Sequence, residues 1–332
     1  MDAISADNPE LLAIQGRLQA SDSEVRRVAL LDLADLEGED HLPLIIASLK
    51  DPAAAVRAEA ARALEAFESD ASIDGLIALL DDSDPAAREA AAQSLYELKQ
   101  RESARRILPH LTHPSAFVRT TLFRALRELR VAESFAPALA ALADADAAVR
   151  REAVTVLGYL KQPQALPALT SLAVADPEPE VRRAAMGAVG FASDESILSA
   201  LLDGLTDPAW QVREEAATTA GKLRLENAQD QLIAALQDTY WQVRLRAARA
   251  LGCLRLSRAV PPLIDALSHS MSNLRKEAAL ALGEIGVPEA LPALEQIRDD
   301  RDPEVRKSAR LAIAQIHAAG QSVQILRKEG RQ

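Results

Sequence analysis

Two stretches of the chain, DPAWQVRE at 207–214 and DTYWQVRL at 238–245, contain its only two tryptophans, Trp210 and Trp241, in matching positions. Tyr240, Arg246, Arg249 and Cys253 stand close by. Flat aromatic faces beside guanidiniums anchor partners; they do not by themselves break bonds. The groups that would do catalysis are not arranged for it. The five histidines are His41, His110, His113, His269 and His317. His110 and His113 (PHLTHP) share an i,i+3 spacing that suits a metal, but no third ligand accompanies them. There is no G-x-S-x-G, no P-loop and no G-x-G-x-x-G. Cys253 lies between Arg249 and Arg255, cations of the kind that lower a thiol pKa. An ordinary, partly exposed cysteine is the simpler reading. No catalytic residue and no metal site are assigned.

Charge is uneven. The chain of 332 residues has a formal charge of −11, which argues against a general nucleic-acid binder, because phosphate contacts need a basic surface. Yet residues 99–130 hold eight cations against two acids, Glu102 and Glu128. Residues 241–264 hold five arginines and no acid. Such reversals fit either an anionic partner or a solvated helix face. The single cysteine fits a reducing compartment, and no apolar run reaches the length of a membrane span. The N-terminus lacks the basic and apolar regions of a signal peptide, so a cytoplasmic protein without membrane association is expected.

The elements that position these residues follow from a period. Arginine recurs at 26, 57, 88, 119, 150, 182, 213, 244, 275 and 306, in steps of 31 except for one of 32 between Arg150 and Arg182. A period of this size marks a solenoid or array. Each unit reads as a short helix, an Asp or Asp-Pro turn, and a longer helix of the form VRxxAAxALGxL. Proline at the turn ends one helix and suits the first turn of the next. The expected fold is all-α, a right-handed α-solenoid of about ten 31-residue helix-turn-helix repeats over 9–318. Tails are expected at 1–8 and 319–332.

Counting from the arginine as zero, positions −1, +3, +7 and +10 form the core face of the longer helix. Positions +4 and +6 are small where neighbouring helices pack, and glycine at +8 (Gly158, Gly190, Gly221, Gly252, Gly283) permits close approach. In the tenth repeat the +4 slot becomes Arg310 and the −8 slot Arg298, as a polar terminal cap requires. An Asp stands six residues before most of the arginines. Together they predict a structural ladder that includes Asp51, Arg57, Asp144, Arg150, Asp207, Arg213, Asp238 and Arg244. His113 and His269 occupy the same slot as the acid. The remaining stripe, expected on the concave side, carries Phe117, Arg124, Tyr159, Phe191, Arg246 and Arg249, with Trp210, Tyr240 and Trp241 at its edge. These residues are the candidate surface for a protein client or ligand.

The unit D-P-x-x-x-V-R-x-x-A-A-x-A-L-G-x-[IL] resembles HEAT repeats, and in particular the short HEAT-like repeats of the phycobilisome lyase family. An extended concave surface without a catalytic constellation suits a non-enzymatic interaction scaffold or assembly chaperone that holds a client protein along that face. The resemblance implies an alternative, a bilin lyase or bilin-handling subunit, with bilin as cofactor and a related HEAT-repeat subunit as partner. The His-Glu pairs of deoxyhypusine hydroxylase, another HEAT-like family, are absent. A HEAT-like DNA glycosylase would need a broad basic face, against which stand Glu152, Glu180 and Glu215 on the stripe.

Overall fold

A computed structural model describes residues 9–36 and 40–329. Among them are twenty α-helices and no strand, two helices for each arginine-centred repeat, so the fold is an all-α solenoid. The 1–8 tail expected from the sequence lies outside the described residues. The chain forms two compact halves, Met1–Leu160 and Lys161–Gln332. The boundary falls within the one 32-residue step. Each half holds five repeats.

One repeat shows how the sequence builds its helices. In the eighth, the first helix spans Gln229–Ala235 and the second Trp241–Leu254. Val243, Ala247, Leu251 and Leu254, at −1, +3, +7 and +10, are all buried. Asp238 makes the turn between the helices by accepting the Tyr240 N–H on its carboxylate, at 2.8 Å. The second helix stops at Arg255, which sits in the left-handed region with φ 52. The equivalent +11 position is also left-handed at Arg130, Lys161, Arg224 and Gly286. Only Gly286 adopts this conformation without steric cost.

Neighbouring second helices touch where the residues are smallest. A Cβ built on Gly221 would lie 2.8 Å from the Cα of Ala250, and one on Gly252 2.8 Å from the Cα of Ala281. The +8 glycine of one repeat thus meets the +6 alanine of the next, and any side chain there would push the backbones apart. At the C-terminal end Arg298 and Arg310 are exposed. The last helix, Pro303–Glu329, continues well past residue 319, where the sequence suggested that a tail begins. Gly320 costs only about 1 kcal/mol in a helix and is followed by good helix formers.

Candidate interaction surface

Beneath the surface residues runs a ladder of arginines. Arg213 donates from Nε and Nη2 to the two oxygens of Asp238, at 2.6 and 2.9 Å. Its Nη1 donates to the carbonyls of Asp207 and Pro208 in its own repeat. The same fork joins Arg26 to Asp51, Arg57 to Asp82, Arg119 to Asp144, Arg182 to Asp207 and Arg275 to Asp300. Each arginine therefore holds its own repeat by backbone carbonyls and the next repeat by a carboxylate. Arg150 donates likewise to the carbonyls of Asp144 and Ala145. The arginine bonds hold Asp51, Asp82 and Asp300 below the usual carboxylate range. At Asp144 and Asp238 burial pulls upward, and the arginines and turn N–H groups overcome it.

The first aromatic phrase is closed over this ladder. Trp210 begins the second helix of the seventh repeat, Trp210–Leu223. Its indole stacks on Tyr240 of the eighth, with centroids 5.4 Å apart and planes 16° from parallel. The Arg213 guanidinium lies 5.7 Å from the other ring of this pair, that of Tyr240. The stack ties one repeat to the next.

The second phrase is open. Trp241 is half-buried, and among the described residues no ring or guanidinium stacks on it. In the ninth repeat the place equivalent to Tyr240 is taken by Met271, an exposed thioether. The joint below is also different. Arg244 bonds the carbonyl of Asp238 through Nε, while its Nη1 lies 3.0 Å from Nε2 of His269. The Met271 N–H points at Nδ1 of the same ring, at 3.1 Å. A neutral imidazole has one acceptor nitrogen, so it satisfies one of these two donors and opposes the other. Burial first, then Arg244 and Arg275, push the pKa of His269 down. The other histidine joint avoids the conflict: His113 accepts the Ser115 N–H on Nδ1 and turns Nε2 to Asp81, at 2.9 Å.

Arg246 and Arg249 lie on the outward stripe of the same helix. Arg246 donates to Glu214 at 3.1 Å, and Arg249 pairs with Glu277 at 3.3 Å. Burial pushes both Glu215 and Glu277 above the usual carboxylate range, against the pull of Arg183 on one and Arg249 on the other. Between the second helices of the seventh and eighth repeats is a cleft of about 310 Å³. Ala217, Thr218, Gly221 and Ala250 line it, with Lys222, Arg246, Arg249 and Cys253. The small residues that let the helices approach also leave this space open. The cysteine is not activated: burial and Glu284 push its thiol up, outweighing Arg249 and Arg224.

The N-terminal half holds three of the predicted residues. Phe117 is exposed and borders a cleft of about 440 Å³ with Asp81, Asp82 and Arg88. Arg124 lies 4.3 Å over the Tyr96 ring, and Tyr159 lies beneath Arg130 at 4.9 Å. Each aromatic–cation pair is therefore satisfied within that half. Phe191 belongs to the C-terminal half, in a 3-10 turn at Val189–Phe191, and is half-buried.

The two basic stretches are not free cationic patches. Arg105 bonds Asp70, Arg106 bonds Asp74, and Arg101 donates to the carbonyls of Leu129 and Arg130. Arg258 pairs with Asp230. These acids lie about one repeat away in sequence, so stacking offsets part of the local excess of arginine. Met271 and Glu277 were not singled out from sequence. The period itself would have found them, as neighbours of Arg249 and Trp241 in adjacent repeats. No three His, Cys, Asp or Glu side chains among the described residues gather as a metal site, and none of the described helices is long and apolar enough to cross a membrane.

Comparisons with known proteins agree with this geometry. The HEAT-repeat profile matches residues 11–96, 73–147, 135–221, 172–240 and 229–314. No curated protein matches the sequence. Among solved structures, an engineered protein is 21% identical, with a TM-score of 0.51 over 93% of this chain and 99% of its own. The Escherichia coli protein YibA is 23% identical, with a TM-score of 0.60 over 74% of this chain and 92% of its own. Kap121p bound to Ste12p is 15% identical, with a TM-score of 0.65 over 92% of this chain and 41% of its own. These likenesses are of fold. With sequence matches to the HEAT profile running from 11 to 314, the chain belongs to the HEAT-repeat family.

Proposed function

We propose that the protein is a non-enzymatic scaffold or assembly chaperone that binds a client protein on the outward face of its seventh to ninth repeats. The observation that carries this reading is the unstacked, half-buried indole of Trp241, with exposed Met271 in the place that Tyr240 takes at the preceding joint. A large ring stands part-exposed there, where other repeats have Ala, Ser or Pro. HEAT solenoids offer extended surfaces of this kind, and one structural neighbour, Kap121p, has been seen bound to a protein, Ste12p. The bilin-handling reading, which rests on likeness to the phycobilisome lyase repeats, has weaker support. One face of Trp210 is covered by Tyr240, and Arg246 and Arg249 already meet carboxylates. Photocrosslinking tests the proposal. A benzophenone side chain at position 241 should give a discrete client adduct in cells. The same group at Ala234, exposed on the first helix of that repeat, should give none. Equal labelling from both positions would overturn it.

A further inference from the structure

We infer that the first repeat carries a dimerisation face, which pairs head to head with the same face of a second copy of this chain. The face lies outside the repeats assigned to the client and is independent of that reading.

Exposure is concentrated there. Of the ten exposed large apolar side chains among the described residues, four lie in the first repeat: Leu12, Val25, Val28 and Leu31. Val25 stands at position −1, just before the arginine. The residue at −1 is at most 1% exposed in each of the other nine repeats, whereas Val25 is 38% exposed. Val28 stands at +2, the position by which a second helix meets the repeat before it. At that position Glu59 accepts from Arg27, Arg246 donates to Glu214, and Glu277 pairs with Arg249. Asp32 stands at +6, where Ala250 and Ala281 touch the glycine of the preceding repeat. The second helix of the first repeat, Ser23–Ala34, thus leaves open a face that a preceding repeat covers elsewhere.

The two ends of the stack do not fit each other. The −6 slot, an Asp in seven repeats, is Ala20 in the first, so this end offers no carboxylate to the arginine of a repeat stacked before it. At the other end Arg306 donates to the carbonyls of Asp300 and Arg301, and among the described residues to no carboxylate. Arg298 and Arg310 are exposed at that end too. Stacking head to tail would press these guanidiniums against valines and Ala20, and an unpaired buried charge is costly. Head-to-head pairing sets apolar against apolar instead, and it also matches charge. Arg17 and Asp32 form a part-exposed ion pair within the first repeat. On a face that meets itself about a two-fold axis, Arg17 of one copy can reach Asp32 of the other, and the reverse. The face spans two helices of 10 and 12 residues. That is less than the roughly 800 Å² that each side of a standard interface buries, so the dimer is reversible, with a Kd of about 10 µM.

Sedimentation of the full chain between about 1 and 100 µM should show a monomer–dimer equilibrium. Val28→Glu places at +2 the residue that Glu59, Glu152, Glu215 and Glu277 supply in other repeats, so the helix tolerates it. It should weaken the dimer at least tenfold with thermal unfolding unchanged. Arg310→Glu, at the other end, should leave the dimer intact. Asp32→Arg and Arg17→Asp should each associate at least tenfold more weakly alone, and their equimolar mixture should recover the dimer, because the mixed pair sets opposite charges across the axis. A chain that stays monomeric throughout, or association unaffected by Val28→Glu or lost on Arg310→Glu, would overturn the inference. So would a mixture no more associated than its components. Association that appears only after residues 1–8 are removed would also overturn it, by giving the face to that segment.

Discussion

In the seventh repeat Arg213 grips Asp238 with two hydrogen bonds, and Trp210 and Tyr240 stack above the joint. One repeat later Arg244 faces the ring of His269, which cannot accept from both donors aimed at it, and Trp241 has no aromatic partner. The two phrases have the same W-Q-V-R core. Their difference lies in what the next repeat supplies: Asp238 and Tyr240 in one case, His269 and Met271 in the other. A closed joint uses its aromatic to hold the solenoid together. An open joint leaves its aromatic without a ring stacked on it, and on the proposed reading that aromatic serves a partner.

Breaking the strong joint should have the largest effect. Arg213→Ala leaves Asp238 nearly buried without its counter-charge, a loss of about 3 kcal/mol. Arg244→Ala should cost only about 1 kcal/mol, because it removes one contact to an uncharged ring. Denaturant unfolding of the full chain, with hydrogen exchange to localise the change, measures both. Similar losses for the two variants would mean that the joints are equivalent.

Repairing the weak joint comes next. His269→Asp supplies the aspartate that stands in the same slot of seven other repeats and should gain about 1 kcal/mol. It should also alter the pH dependence. His269 has a lowered pKa in the folded state, so protonation favours the unfolded chain. Stability is therefore complete above the unfolded pKa of about 6.5 and declines as pH falls below it. Buried His41, also lowered by burial, acts in the same direction. The aspartate variant should lose the His269 share of the decline between pH 7 and 5, leaving that of His41 and the opposing gain from Glu215 and Glu277, whose raised pKa values favour the folded state as pH falls; melting curves will show the difference. The ladder carboxylates act in a lower window: their stabilisation is present above about pH 4 and lost below it.

The smallest effect separates joint from cap. The second helix of the eighth repeat ends at Arg255 with φ 52, whereas that of the ninth ends at Gly286. Arg255→Gly should gain about 0.5 kcal/mol by relieving the left-handed strain. A gain exceeding that of His269→Asp would locate the weakness in the cap.

Much of this was legible in one sequence. The period fixed the helix pairs, the core face and the ladder arginines, because each is a local pattern repeated ten times, and the glycine contacts, which recur at one place in five repeats. Pairings across repeats were harder to read. Arg105 looked like part of a basic patch until Asp70 was placed against it, and Arg246 until Glu214 was. The two tryptophans looked equivalent because the difference between them is written 30 residues further on, at Tyr240 and Met271. The non-glycine left-handed caps at Arg130, Lys161, Arg224 and Arg255 are all basic, a type that does not by itself favour positive φ.

The central claim is that Trp241 is free for a client while Trp210 is committed to the fold. Titrating the crosslinked client against Trp241→Ala and Trp210→Ala, with unfolding midpoints on the same samples, tests it most directly. Trp241→Ala should lose at least tenfold in affinity with stability changed by less than about 0.5 kcal/mol, and Trp210→Ala should lose about 1 kcal/mol of stability. Wild-type affinity in Trp241→Ala, or a loss of binding that appears only with a matching loss of stability, would contradict the account.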